Sequence, residues 1–185
     1  AGEYGAAFAR GLAAAGVTPV FKHFPGHGQA SGDTHLQLAV TPPVEQVVAH
    51  DLPPYAIALG QSGGAVMVGH MVVPGLGDGT TPASLDPATY VLLRSGNYPG
   101  GVPFEGVAYT DDLTGMRAVT DRYSLPQAVV AAVRAGADQP LFSSGGQLVA
   151  AIDALDAAVT AGEVPGERLD DAAHRVQLQL LSSGV

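Results

Sequence analysis

An α/β fold built on a parallel sheet is predicted for this chain by three observations. Short apolar runs alternate with helical patterns along the sequence, the signature of βα units. Three of the runs finish in titratable residues: Lys22-His23, His70 and Asp111-Asp112. Each is followed by a turn or loop, and such sheets carry their functional groups at the strand ends that lead into loops.

Taken in order, the first element is a helix over 3–15, with Tyr4, Phe8, Leu12 and Ala15 on one face. The chain opens without an initiator methionine, a basic start or an apolar leader, and so reads as a fragment of something longer. A strand is expected over 17–22, ending at Lys22-His23. A helix over 43–50 is interrupted by Pro53-Pro54 and resumes to about residue 59. The second strand, 65–68, ends in Gly69-His70. A glycine- and proline-rich loop over 74–82 precedes a helix over 86–95, with Ser84 and Asp86 available as caps and Pro87 at a tolerated first-turn position. The third strand, 107–110, runs into Asp111-Asp112. A helix over 126–135 leads to a weaker fourth strand over 139–142. Helices over 146–160 and 167–181 close the chain, separated by a Gly/Pro-containing link.

Composition narrows the function. Of 185 residues, 46% are hydrophobic but only 6% aromatic, with no tryptophan, so alanine and valine must build a core of closely spaced helices against a sheet. A formal charge of −9, with the few basic residues scattered, argues against nucleic acid, whose binding rests on lysine and arginine contacts to phosphate. Cysteine is absent, which excludes disulfides, thiolate nucleophiles and cysteine-ligated metals. No apolar run reaches the roughly 18 residues of a spanning helix.

The chemistry concentrates in Lys22-His23-Phe24-Pro25-Gly26-His27-Gly28, followed by Asp33-Thr34-His35. Three of the six histidines and the only lysine fall within these positions. Asp33 beside His35 favours the imidazolium and fixes the ring, a dyad able to give and take a proton; the alternative is a loop aspartate bonding backbone amides next to an exposed histidine. His23, His27 and His35 also admit a three-histidine metal site, although the proline and glycine between His23 and His27 remove the helical spacing such sites favour. In the third strand, alternation puts Asp111 on the face of Val107 and Tyr109, where a carboxylate serves as a nucleophile or stabilises a cation. Its alternative, for Asp111 or Asp112, is to cap the following helix. Lys22 offers three donors to hydroxyls or a carboxylate, or simply lies over the sheet. His70 reads as a ligand contact or as a satisfied core histidine.

Together these residues resemble glycoside hydrolase family 3, in its bacterial β-N-acetylglucosaminidase branch, whose signature is K-H-F-P-G-H-G-x4-D-[ST]-H. Supporting matches follow in order: Met67-Val68-Gly69-His70, Pro82-Ala83-Ser84-Leu85, Thr110-Asp111-Asp112-Leu113 with Met116, Ala135-Gly136-Ala137-Asp138, and Arg168-Leu169-Asp170-Asp171-Ala172 with Arg175. The resemblance implies a (β/α)8 barrel of the TIM type, of which this chain, 1–185, supplies the C-terminal half in about four βα units. It further implies Asp111 as nucleophile, His35 as acid/base oriented by Asp33, and Lys22, His23 and His70 in substrate binding. The implied activity is retaining removal of terminal β-N-acetylglucosamine from cell-wall muropeptides or related glycosides, with no cofactor and no metal. β-Glucosidase specificity, phosphorolysis and a non-catalytic carbohydrate-binding half-barrel are the alternatives. A half-barrel exposes sheet edges, so it is expected to be inactive without the missing N-terminal half or a self-association partner. Members of this branch occupy the cytoplasm or the cell envelope.

Overall fold

The computed structural model describes residues 1–182 and is a mixed α/β fold with a small parallel sheet. Helix α1 (Gly2–Ala14) is followed by strand β1 (Val20–Phe24), helices α2 (Val44–His50) and α3 (Pro53–Ser62), and strand β2 (Ala65–Val68). Then come α4 (Pro87–Ser95), β3 (Ala108–Thr110), α5 (Arg117–Thr120), α6 (Leu125–Ala135), α7 (Leu148–Thr160) and α8 (Gly166–Ser182). The sheet order is β1-β2-β3, and both pairings are parallel.

Local chemistry accounts for most boundaries. Pro53 and Pro54 occupy the first turn of α3, where the missing amide hydrogens would be unsatisfied anyway. Asp86 caps α4 by accepting from Ala88 N at 2.9 Å. Helix α6 starts in a capping box of Ser124 and Gln127 and buries Leu125, Ala128, Val129, Ala132 and Val133 on one face. It stops at Gly136, which has φ 132° and packs so closely on Tyr90 that a Cβ would stand 2.6 Å from that residue's Cβ. Only glycine suits both demands. Beneath the helices, Phe24, Val66, Val68, Ala108, Leu93 and Leu113 form the core around the sheet.

Four differences from the sequence reading have physical causes. Strand β1 begins at Val20 rather than 17, because Pro19 has no amide hydrogen for the ladder and only its carbonyl pairs, accepting from Ala65 N at 2.9 Å. Lys22 and His23 therefore lie inside the strand. The fourth strand is absent: a single bridge, Tyr109 to Gln139, stands in its place among the described residues, and Pro140 interrupts the donors that would extend it. Helix α1 turns its other face inward. Gly2, Ala6 and Ala9 are buried while Tyr4 and Phe8 are 86% and 71% exposed. Close packing on α3 selects small residues, since a Cβ on Gly2 would stand 2.8 Å from Ile57 Cβ. Finally, the short α5 carried no sequence signal.

A buried ionic hub joins these layers. Asp138, with a fully buried side chain, pairs with Arg94 of α4 and with Arg168 and Arg175 of α8, and accepts from Ala108 N of β3 at 2.9 Å. Asp171 and Glu105 complete the balance at the rim. Among the described residues no helix is long and apolar enough to cross a membrane.

Candidate active site

The C-terminal strand ends open onto a cleft of about 800 Å³ lined by Lys22, His23, His27, Asp33, His35 and Asp111, with Thr34, Asp51, Tyr55 and Met116 among the remaining wall. Residues 76 apart in sequence are thus brought to one cavity. A hollow of about 450 Å³ at the opposite strand ends has no comparable cluster of histidines and carboxylates.

His23 reaches Asp111 across the intervening strand. Lys22 pairs with Met67 and Phe24 with Val68, which leaves His23 as the extra residue of a bulge in β1. A Cβ on Gly69, at the end of β2, would lie 3.0 Å from His23 Cβ and 2.7 Å from Met71 Cε. The bare glycine keeps that path clear. His23 Nε2 donates to Asp111 Oδ2 at 3.2 Å, and Asp112 N donates to Asp111 Oδ1 at 2.9 Å. Burial pushes the Asp111 carboxyl upward, but the His23 and backbone hydrogen bonds and the neighbouring rings outweigh it, so the group lies below its ordinary value. A carboxylate only 8% exposed and held ionised is suited to nucleophilic attack.

In the same cleft, His35 Nδ1 donates to Asp33 Oδ1 at 2.7 Å, and His35 N donates to the same oxygen at 2.9 Å. The backbone hydrogen bond, then the imidazole, hold Asp33 below the usual carboxylate range. With Nδ1 engaged, Nε2 is the nitrogen left for proton transfer. Lys22 is exposed and lines the same cleft. The Asp111-Asp112 pair divides its work: Asp112 is drawn down to about 2, where burial is outweighed by the Thr114 hydroxyl and by Ser143 and Thr114 amides, and it braces the turn after β3.

The sugar contact expected at His70 is not brought to the cleft. His70 is fully buried, with Nε2–H donating to the Asp112 carbonyl at 3.1 Å and Nδ1 accepting from the Ser84 hydroxyl at 2.7 Å. Because the carbonyl only accepts, this tautomer is required. Ser84, expected as a helix cap, serves here instead. Burial keeps His70 below its ordinary pKa, against the opposing pull of the Asp112 carbonyl and the two aspartates. The unfolded chain therefore takes up a proton near pH 6.5 that the folded chain refuses. His70's contribution is complete above that pH and shrinks as the pH falls toward its folded value. Denaturation midpoints of the full-length protein are expected to fall between pH 7 and 5, and to fall less steeply in His70→Gln. Parallel slopes would assign the loss to other groups.

Sequence reasoning passed over Asp51 and Tyr55 and gave Thr34 no role beyond its place in the motif, yet all three line the cleft. Asp51 packs under the Gly26 turn, where a Cβ would stand 2.3 Å from its own. No short motif marks such a neighbour, which arrives from α2 by folding.

A model of the glycosyl hydrolase family 3 N-terminal domain matches residues 1–178. The β-hexosaminidase LpqI of Mycobacterium tuberculosis is 46% identical over 173 residues, covering 94% of this chain and 44% of the relative. The chain thus spans under half the length of that curated relative. Among solved structures, a family 3 glycosyl hydrolase from Mycobacterium smegmatis is 50% identical with a TM-score of 0.90, over 94% of this chain and 52% of that one. A family 3 β-N-acetylglucosaminidase from Paenibacillus is 35% identical with a TM-score of 0.87, over 95% of this chain and 33% of that one.

Proposed function

The chain belongs to glycoside hydrolase family 3, and we propose that it supplies the C-terminal half of a (β/α)8 barrel that removes terminal non-reducing β-N-acetylglucosamine with retention. The observation carrying this reading is that Asp111 and the Asp33–His35 dyad, from separate parts of the chain, line one cleft. The names of its relatives support the sugar, and the substrate class we propose is cell-wall muropeptides or related glycosides.

In the first step the Asp111 carboxylate attacks the anomeric carbon and the bond to the aglycone oxygen breaks. That oxygen takes the proton of His35 Nε2, while Asp33 stabilises the imidazolium before transfer. A glycosyl ester on Asp111 and a neutral His35 remain. In the second step water attacks the same carbon, its proton returns to His35, and Asp111 leaves as carboxylate. Two inversions give retention. Retaining enzymes usually pair two carboxyl groups about 5–5.5 Å apart; an imidazole replaces one of them here. Lys22 donates to sugar hydroxyls. His23, with Nε2 engaged by Asp111, holds the nucleophile and has only Nδ1 to offer the sugar.

The edge of β1 away from β2 carries no strand among the described residues, and the strands still wanting from an eight-stranded barrel would be supplied from outside these residues. The chain alone is expected to be inactive, and the complete barrel active, on nitrophenyl N-acetylglucosaminide in preference to the glucoside. In the complete barrel, His35→Ala should lower kcat/KM by about 10²-fold or more on an unactivated glycoside and far less on a dinitrophenyl glycoside, whose leaving group needs no proton. Equal losses on both would remove the acid role, and normal turnover by the isolated chain would remove the half-barrel reading.

A further inference from the structure

We propose that Thr34 and Met116 form a tether that sets the position of the His35 imidazole relative to Asp111, a positioning role that rests on the acid/base reading of His35. Thr34 is the only buried residue between 31 and 38, at 3% exposure. Its neighbours Asp33 and His35 have side chains 58% and 61% exposed. Thr34 is therefore the one buried side chain of the dyad loop, with the two reactive groups on either side of it.

The anchor point lies on the segment that follows Asp111. Thr34 Oγ1 donates to Met116 Sδ at 3.4 Å, and Ala118 N donates to Thr34 O at 3.2 Å. Met116 lies five residues after Asp111, at the N-terminus of α5, and is itself 7% exposed. The turn between Asp111 and Met116 is stiffened by Asp112, which binds Thr114 and Ser143. A connected path thus runs from the nucleophile through Asp112, Thr114 and Met116 to Thr34, and from there to His35. Both tether residues line the cleft that also holds His35 and Asp111. A shift near 1 Å in such a pair costs up to about a hundredfold in rate, and the Thr34 hydroxyl contact opposes it beside the Ala118 N–Thr34 O bond and the Ser31–Val40 pair at the base of the loop.

The test is a double-mutant cycle in the complete barrel, with Thr34→Val, which keeps the shape and removes the hydroxyl, and Met116→Leu, which keeps the volume and removes the acceptor. Each single variant is expected to lower kcat on an unactivated glycoside by about tenfold, with little change in KM and a loss under about threefold on the dinitrophenyl glycoside. The double variant should be no worse than the weaker single one, because both remove one contact. Thr34→Ser, which retains the hydroxyl, should recover most of the loss. Additive losses, or losses equal on both leaving groups, overturn the tether even where His35→Ala shows its leaving-group dependence. If His35→Ala itself shows none, the acid assignment fails and the tether falls with it.

Discussion

Asp111→Asn is expected to lower kcat of the complete barrel by about three orders of magnitude or more, with substrate affinity largely retained. The substitution preserves shape and the acceptor for the Asp112 amide, but an amide oxygen is too weak a nucleophile to open the glycosidic bond. It also removes the anion opposite His23, so the 3.2 Å contact loses its charge. The loss should persist with the dinitrophenyl glycoside, since a better leaving group does not supply an attacking atom. That separates it from His35→Ala, whose loss is relieved by the same substrate. Trapping a glycosyl ester on Asp111 with a slow fluorinated substrate, followed by peptide mass analysis, checks the same assignment directly. A label found elsewhere, or a kcat unchanged in Asp111→Asn, would remove Asp111 from the mechanism.

The second large effect concerns stability rather than turnover. Asp138→Asn should lower unfolding free energy by about 3–5 kcal/mol, the cost of leaving buried charge uncompensated, and the melting temperature by about 10 °C. Asp138 faces three guanidinium groups whose side chains are only 16–21% exposed. Its own side chain is fully enclosed. Asn can still accept from Ala108 N, so the expected loss isolates charge from hydrogen bonding. Arg168 and Arg175 keep Asp171 as a partner, whereas Arg94 is left with only the carbonyls of Phe104 and Gly106 and the Phe104 ring. The link from β3 to α4 and α8 is therefore expected to loosen first. Denaturant unfolding of the full-length protein measures it; a change below about 1 kcal/mol would mean that the arginines reach water without cost.

Helix and strand order was readable because it depends on local pattern. The cap at Asp86 and the prolines opening α3 and α6 act within one turn of the chain. The Asp33–His35 pair is equally local, two residues apart on one loop. Elements whose form depends on distant partners were not readable. The sequence over 139–142 resembles a strand, but whether it joins a sheet depends on the partner edge and on Pro140. Tyr4 and Phe8 give α1 an apolar stripe by composition, yet the inward face is chosen by how near Ile57 approaches.

Sequence alone specified the family to which the chain belongs, the candidate residues for its chemistry, and the βα order that presents them at one end of the strands. Tertiary structure alone determined that His23 lies against Asp111 over the bare Gly69, that His70 is sealed behind Ser84 and Asp112, and that Thr34 turns inward onto Met116. The physical reason is range. Caps, turns and alternation are settled by neighbours along the chain, whereas burial and hydrogen bonding between residues tens of positions apart depend on how the packed layers meet.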